Sequence, residues 1–347
     1  MRVVALIERR GHVCARYRLA AFAPALRDAG CGLIFKAIPR SPVLRLMLFA
    51  KLTYFDAVVL QRKLLPSYQL NCLRRNSRRL IFDFDDAVFG NDSYDPRGIA
   101  STLRERQFAG IVAAADQILA GNHFLKECAI ARGARVDAVH LMPTCVDPGK
   151  YPIASHDSHN SNDALSLVWI GSSATLLGLE RRRDLFDKLA DRFPNLRLRI
   201  ICDRFPEFAR PPIDAIPWRE ATEAREIAQS DIGVTWLPDD QWSRGKCGLK
   251  VLQYYAAGLP VIANSVGVHP EMIEPGVTGI LADTDQEWID AINLLSEPAR
   301  SQQMGLAARK FVEERYSIEA HRHRFVDIVT ANPAGGSQIL TSTAMKS

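Results

Sequence analysis

Residues 231–267 decide the fold of this chain, and they read DIGVTWLPDDQWSRGKCGLKVLQYYAAGLPVIANSVG. Alternating apolar residues predict a buried strand over 232–237, which Pro238 ends. A loop that contains cations follows, then a helix from about residue 248 to 257, and then a second buried strand over 261–263. A strand, a loop, a helix and a strand in this order form one unit of a parallel α/β sheet.

The loop before this helix is a predicted anion site. Backbone N–H groups at a helix N-terminus carry a partial positive charge, and nearby cations strengthen it. Arg244, Lys246 and Lys250, together with the amides of Gly248 and Leu249, are therefore candidates to bind a diphosphate, such as that of a nucleotide. The alternative for Arg244 and Lys250 is that they are solvated surface cations.

Two series of alternating strands and helices divide the chain into two predicted domains, residues 1–152 and 165–317. Residues 153–164 are rich in Ser, His, Asn and Asp and form a predicted linker, and residues 332–347 form a predicted disordered tail. Two such Rossmann-like domains bind ligands in a cleft at the carboxyl ends of their strands. The predicted strands are 3–7, 57–60, 80–84, 117–120 and 136–141 in the first domain, and 165–170, 196–202, 232–237, 261–263 and 279–281 in the second.

The segment from Arg244 to Val261 resembles the phrase R-G-K-C-G-x-K-x-L-Q-Y-x-A-A-G-L-P-V of a bacterial branch of the retaining glycosyltransferases of family four. Similar phrases of that branch occur in the same order at residues 80–89, 114–122, 143–147, 168–173 and 314–317. The resemblance implies a GT-B fold, in which two Rossmann-like domains face each other and the last helix, here 318–331, crosses back to the first domain.

The same resemblance implies an activity. It is the transfer of a hexose from a nucleoside diphosphate sugar to a glycan or a lipid-linked acceptor, with retention of the anomeric configuration. The products would serve polysaccharide biosynthesis in the cell envelope. Neither a metal ion nor another cofactor is expected.

The chain departs from the wider family at two positions. Most relatives have two glutamates, one beside the donor sugar and one beside the ribose, and their places are taken here by Gly245 and Gln253. The Gln253 amide is both donor and acceptor, so we assign it to the ribose hydroxyls. Gly245 has no side chain for the donor sugar, and Lys246 is the nearest substitute. A turn after a strand, Gly171-Ser172-Ser173, is a further candidate for the donor phosphates.

An acidic motif, Asp83-Phe84-Asp85-Asp86, ends a predicted strand of the first domain. The resemblance places Asp85 near the donor sugar, and Asp85 or Asp86 could orient the acceptor or take its proton. Asp86 is equally a candidate helix cap. Other interpretations are the metal motif of single-domain GT-A transferases, a haloacid-dehalogenase-like phosphatase that uses Asp83 and Asp85, and a catalytically degenerate GT-B protein that only binds nucleotide sugars.

Basic residues of the first domain are the candidates for the acceptor. Arg16, Arg18 and Arg62 follow predicted strands and could bind an acceptor phosphate, or they could lie along a helix surface. Residues 42–54 alternate apolar side chains with Arg45 and Lys51, which predicts either a helix that contacts anionic lipid or a core helix.

Charge and composition limit the partners. Residues 1–150 carry 23 basic and 13 acidic residues, a net charge of +10, and the rest of the 347-residue chain carries a net charge of −5. The first domain therefore favours an anionic partner, but no nucleic-acid-binding motif is recognisable, so nucleic acid is not expected. No apolar stretch is long enough to span a bilayer, and the seven cysteines show no C-x-x-C pair. We expect a cytoplasmic protein, with peripheral contact at the inner face of the membrane.

Overall fold

The computed structural model describes residues 1–9, 11–154, 164–208 and 210–331. Nearly all of the predicted linker, and the predicted disordered tail over 332–347, lie outside these residues. No helix formed by the described residues is long and apolar enough to cross a lipid bilayer.

The first domain is built from parallel strands that alternate with helices. Its strands are β1 (Arg2–Ile7), β2 (Gly32–Ala37), β3 (Ala57–Gln61), β4 (Leu80–Phe84), β5 (Gln117–Ala120) and β6 (Val139–Leu141). Its helices are α1 (Val13–Arg18), α2 (Ala23–Asp28), α3 (Pro42–Ala50), α4 (Ser67–Arg75), α5 (Thr102–Ala114) and α6 (His123–Ala131). The strand order is β2-β1-β3-β4-β5-β6. The central strands are apolar and buried because helices cover both faces.

The second domain repeats this architecture. Its strands are β7 (Ser166–Ile170), β8 (Arg197–Cys202), β9 (Ile213–Pro217), β10 (Ile232–Thr235), β11 (Val261–Ala263) and β12 (Gly279–Leu281). Its helices are α7 (Ser173–Glu180), α8 (Arg183–Arg192), α9 (Glu223–Ala228), α10 (Gln241–Arg244), α11 (Leu249–Ala256), α12 (His269–Met272), α13 (Asp285–Leu295) and α14 (Pro298–Arg315), and α15 (Ile318–Thr330) follows. The strand order is β12-β11-β10-β7-β8-β9.

The two sheets present their ligand-binding edges to each other. Strand order reverses between β1 and β3 in the first sheet and between β7 and β10 in the second, and open α/β sheets bind ligands outside the carboxyl ends of the strands at such points. Residues that follow all four of these strands line one shared cavity. The predicted fold of two Rossmann-like domains facing across a cleft is therefore confirmed.

The last helix, α15, packs on the first domain. The Phe325 ring stacks on Phe22 with 4.4 Å between centroids, and the Arg79 guanidinium donates to the carbonyls of Ile328 and Val329. All three α15 residues are buried with the core of β1, α2 and β3. The chain thus returns to the first domain after completing the second.

The sequence pattern misses the strands β2 and β9, and it extends two others too far. Both missed strands lie at the edge of a sheet, where partly exposed residues interrupt the apolar run. The strand predicted over 136–141 begins as a 3₁₀ turn and becomes strand only at Val139, and β10 ends at Thr235 rather than at residue 237. The loop predicted after Pro238 contains the short helix α10.

Candidate functional site

A cavity of about 740 Å³ lies between the two domains. That volume is in the range of sites that enclose small molecules or cofactors. The segments that follow β1, β3 and β4 form one wall, and those that follow β7 and β10, with the start of α11, form the other.

The start of α11 has the backbone that the anion-site prediction requires. Gly248 is the N-cap of α11, with a φ of 63° in the left-handed region. Since it has no side chain, it forms no capping hydrogen bond to the first N–H groups of the helix. A Cβ at Gly248 would lie 2.3 Å from the Met272 sulfur, so a larger residue would have to displace the Met272 side chain and would be strained by the positive φ. The cavity is lined by Gly248, Leu249 and Lys250. Gly171 and Ser172, in the turn after β7, line the same wall. The partial positive charge of the helix therefore faces the empty volume.

Lys250 is the cation best placed for an anionic ligand. Its Nζ lies 5.1 Å from the centroid of the Trp169 ring, and no carboxylate of the described residues forms an ion pair with it. Burial, together with the nearby charge of Lys246, lowers the Lys250 pKa to about 8. An ammonium group that is desolvated and has no counter-ion is stabilised by a bound anion.

Lys246 also lines the cavity but is already paired. Its Nζ lies 2.9 Å from an Asp86 oxygen of the first domain and 4.7 Å from the Trp242 ring. Lys246 therefore joins the two walls of the cleft.

Three residues assigned to the site from sequence do not reach the cavity. Arg244 ends α10 with an exposed side chain that pairs with Asp239 at 2.9 Å, so its assignment to the donor diphosphate is corrected. Ser173 gives both its amide and its hydroxyl to Asp203, at 2.7 and 2.9 Å, and does not line the cavity either. Arg18 is buried inside the first domain, so its assignment to the acceptor is corrected as well.

The partner of Arg18 is Asp83, the first carboxylate of the acidic motif. The guanidinium donates to Asp83 at 2.7 and 2.9 Å, and the Gln61 amide adds a third bond at 2.9 Å. Asp83 is completely buried, and burial raises its pKa. Because Asp83 cannot reach a ligand in the cavity, the interpretation as a phosphatase that uses Asp83 as nucleophile is overturned.

Asp85 and Asp86 do line the cavity, and Arg62 holds both. The Arg62 guanidinium lies 2.9 Å from Asp85 and 2.5 Å from Asp86. Burial by itself would raise the Asp85 pKa, but Arg62 and Arg18 outweigh burial and lower it. Arg62 has a φ of 58°, unusual for a residue with a side chain, and its N–H donates to the Asp83 carbonyl. Arg62 is thus a cavity residue whose charge is shared between two carboxylates.

Gln253 belongs to a polar cluster that the sequence pattern does not reveal. Its Nε2 donates to the hydroxyls of Tyr17 and Tyr151, at 3.1 and 3.3 Å, and it lines the cavity. Glu223 accepts from Tyr17, at 3.0 Å, and from the Trp218 indole, at 2.8 Å.

Arg16, assigned to the acceptor from sequence, lines the cavity and also joins this cluster. It pairs with Glu223 at 2.8 Å and with Glu220 at 3.2 Å. Arg16 therefore bridges the two domains, and both of its ion-pair partners lie in the second domain.

Gly245, which the sequence resemblance aligns with a donor-sugar glutamate, lies in a closely packed place. A Cβ at this position would lie 2.6 Å from the backbone nitrogen of Ala87 in the first domain. The loop before α11 packs against the first domain too tightly for a side chain. The Asn122 amide, which donates to the carbonyls of Arg244 and Lys246 at 3.1 and 2.9 Å, fixes this contact.

Aromatic residues line much of the cavity, and most of them are not recognisable as site residues from the sequence pattern. Four of the five tryptophans of the chain line the cavity, and so does Tyr94. Aromatic faces bury much area with little loss of conformational freedom, which suits a nucleotide base or a sugar ring. A sequence signal was present for Trp169 and Trp236, since both lie near the carboxyl end of a predicted strand. The four tryptophans are Trp169, Trp218, Trp236 and Trp242.

Comparison of the sequence with known proteins finds similarity over part of the chain, mostly in the second domain. Residues 181–327 match the model of a family described as glycosyl transferase-like. Over 88 residues the chain is 33% identical to a GDP-mannose-dependent monoacylated alpha-(1-6)-phosphatidylinositol monomannoside mannosyltransferase of Corynebacterium glutamicum. That match covers 25% of this chain and 23% of the relative's own length.

Comparison with solved structures covers both domains. Anabaena HepE in complex with UDP and glucose superposes with a TM-score of 0.69 at 15% identity, over 96% of this chain and 100% of that one. Sucrose-phosphate synthase from Thermosynechococcus elongatus superposes with a TM-score of 0.68 at 14% identity, over 94% and 97% of the two chains. The chain therefore has the GT-B fold, and residues 181–327 are similar in sequence to a glycosyl transferase-like family.

Proposed function

We propose that this protein transfers a hexose from a nucleoside diphosphate sugar to a glycan or a lipid-linked acceptor. Lys250 is the observation that carries the proposal. It is a desolvated lysine without an ion-pair partner among the described residues, and it lies in the cavity next to the N-terminus of α11. A diphosphate supplies the missing negative charge, and the aromatic residues of the same cavity suit the base and the sugar ring.

We assign the departing diphosphate to Lys250 and the α11 amides. Negative charge develops on the diphosphate as its bond to the anomeric carbon breaks, and fixed donors at that position lower the barrier. Gln253 is assigned to the ribose, and Lys246 to the diphosphate after rearrangement of its pair with Asp86.

We further propose retention of the anomeric configuration. Of the acidic motif, Asp85 and Asp86 line the cavity, and Arg62 pairs with both. The lowered pKa of Asp85 makes that carboxylate a weak base. The departing phosphate oxygen can instead accept the proton of the acceptor hydroxyl, which then attacks the anomeric carbon on the face that the diphosphate leaves. Retention follows from attack on that face.

The cytoplasm is the proposed site of action. All seven cysteines are free, as expected for a protein of a reducing compartment.

Binding and turnover test this proposal in two steps. Thermal denaturation with a panel of nucleoside diphosphates should identify one that stabilises the protein by about 2.7 kcal/mol at 100 times its Kd, whereas the matching nucleoside stabilises it less. The corresponding nucleotide sugar is then incubated with membrane glycolipids, and NMR of the hexosylated product gives its anomeric configuration. Binding without transfer would favour the degenerate protein, and no stabilisation by any diphosphate would contradict the proposal.

A further inference from the structure

The helix α3 (Pro42–Ala50) presents large apolar side chains to solvent. Val43, Leu44 and Met47 are 66%, 54% and 54% exposed. The spacing of Leu44 and Met47, three residues apart, places them on one face of the helix. Phe49 and the following Leu52 are completely buried in the core of the first domain. One face of this segment therefore belongs to the core, and the other face is exposed to solvent.

Two exposed tyrosines lie on the segments next to α3. Tyr54 follows α3 and is 68% exposed, and Tyr68 of the adjoining helix α4 is 56% exposed. Tyrosine combines an apolar ring with a polar hydroxyl, and such residues are typical of the boundary between water and a bilayer. A cluster of exposed apolar side chains on one element marks an interaction surface rather than ordinary surface composition.

The charged residues along this segment are all positive. Residues 36–55 contain four Lys and Arg residues and no acidic residue, and the first acidic residue after them is Asp56. Asp56 accepts from the Arg2 amide at 2.6 Å and pairs with Arg78, so its charge is partly compensated. Arg40 and Lys51, at the two ends of α3, are exposed and form no ion pair within the described residues.

Arg45, by contrast, is not available to a partner. Its guanidinium donates to the Gln69 side chain at 2.6 Å and to the Pro39 carbonyl at 3.1 Å. It joins α3 to α4 and thereby fixes the orientation of the exposed face.

The position of α3 relates this face to the cavity. Strand β2 is parallel to β1, and Ala37 at its carboxyl end pairs with Ile7. The segments that follow β1 and β3 line the cavity, so the turn after β2 and the start of α3 lie at the same edge of the sheet.

We propose that α3 docks the first domain on the surface of a bilayer that contains anionic lipid. The aliphatic side chains of α3 enter the headgroup region, and Arg40 and Lys51 meet lipid phosphates. An acidic protein would satisfy the cations but leave the aliphatic residues exposed, whereas a lipid surface satisfies both. If the proposed transfer is correct, this docking holds the acceptor side of the cleft next to the membrane, but the docking itself needs no nucleotide.

Vesicle co-sedimentation of the full chain tests the proposal. We expect the protein to sediment with vesicles of phosphatidylcholine and phosphatidylglycerol and to remain in solution with phosphatidylcholine alone. The triple variant Val43→Ser, Leu44→Ser, Met47→Ser should bind at least about tenfold more weakly, because the inserted apolar area is lost. The variant Arg40→Gln, Lys51→Gln should lose about 25-fold in affinity, and added salt should mimic that loss in the wild type.

The second domain offers matched controls. Leu306→Ser removes an apolar side chain of 50% exposure from α14, and Lys310→Gln removes an exposed charge from the same helix. Both controls should sediment like the wild type, and all variants should keep their nucleotide affinity, which separates this proposal from the proposed transfer.

Three results would overturn the proposal. One is a wild type that stays in solution with anionic vesicles at low salt, and another is a triple serine variant that binds as well as the wild type. The third is a wild-type dimer, seen by light scattering, that the triple variant converts to a monomer, since the face would then cover a second copy of the chain.

Discussion

Lys246 of the second domain pairs with Asp86 of the first across the cleft, with 2.9 Å between Nζ and Oδ1. The other oxygen of Asp86 is held by Arg62 at 2.5 Å. Lys246 is also a proposed ligand of the donor diphosphate, so the same ammonium group serves the contact between domains and the ligand. Binding of a diphosphate should therefore weaken the pairing of the domains at this point.

A double-mutant cycle of Lys246→Met and Asp86→Asn measures this pairing. Both side chains are partly exposed, so we expect a coupling of about 1 kcal/mol in the free energy of unfolding rather than the value of a fully buried pair. With saturating nucleoside diphosphate the coupling should fall, because the lysine then shares its protons with phosphate. A coupling that the ligand leaves unchanged would mean that Lys246 does not bind the diphosphate.

Gly245→Ala should lower both stability and turnover. Its Cβ would lie 2.6 Å from the backbone of Ala87, and a backbone atom cannot move aside cheaply, so we expect a cost of about 1–3 kcal/mol or a partly opened cleft. Gly32→Ala is the matched control, since no atom lies within 4 Å of its added Cβ. Thermal denaturation and small-angle scattering report stability and domain separation. Unchanged values for Gly245→Ala would contradict the tight contact described here.

Local patterns in the sequence predicted the parts of the fold that depend on local structure. Buried central strands are continuous apolar runs, so most of them were found, and the glycine before α11 marked its start. The edge strands β2 and β9 were missed because exposed and partly exposed residues interrupt their apolar runs. Their identity as strands depends on the neighbour that pairs with them.

The site was harder to predict because its side chains are selected by contacts between distant segments. Arg18 and Asp83 are 65 residues apart, and only the folded sheet brings them together in the core. Arg244 and Lys250 are cations only six residues apart in the sequence, yet one pairs in solvent with Asp239 and the other lines the cavity. Spacing along the chain cannot distinguish these outcomes. Glu223, which joins Arg16 to Tyr17, gave no signal at all in the sequence.

Replacement of Gln253 tests its double role. Gln253→Leu removes the donor shared by Tyr17 and Tyr151 and should cost about 1–3 kcal/mol of stability, because buried hydroxyls lose a partner. Gln253→Glu should also destabilise the protein. A glutamate cannot donate to the tyrosines, and it adds a carboxylate to a cluster that already contains Glu223, so it should be tolerated less well than its shape suggests.

The measurements for Gln253 are chemical denaturation and nucleotide affinity. If the side chain also contacts the ribose, a 2′,3′-dideoxynucleotide should bind equally to the wild type and to Gln253→Leu, whereas the normal nucleotide should bind the variant more weakly. Wild-type affinity of Gln253→Leu for the normal nucleotide would contradict the ribose contact and leave Gln253 as a structural residue of the tyrosine cluster.

The pH dependence of diphosphate binding tests Lys250. Its pKa is lowered to about 8 in the folded protein, whereas a lysine of the unfolded chain titrates near 10.5. Between these values the unfolded state binds more protons, so the contribution of Lys250 to the stability of the unliganded protein should rise with pH. Burial in the unliganded protein favours the neutral amine of Lys250, whereas a bound diphosphate favours its ammonium form. The affinity for the diphosphate should therefore be greatest below about pH 8 and fall as the pH rises above it.

Lys250→Met should bind the nucleoside diphosphate about 10- to 100-fold more weakly at pH 7, since a charge-assisted bond to phosphate contributes roughly 1.5–3 kcal/mol. The nucleoside itself should bind almost as before, and Lys310→Met on the exposed face of α14 should change neither affinity. Calorimetric titration across pH 7 to 10 should also show that the fall in wild-type affinity above about pH 8 is absent from Lys250→Met. A variant that retains the wild-type pH profile would place the titrating group elsewhere and remove Lys250 from the diphosphate site.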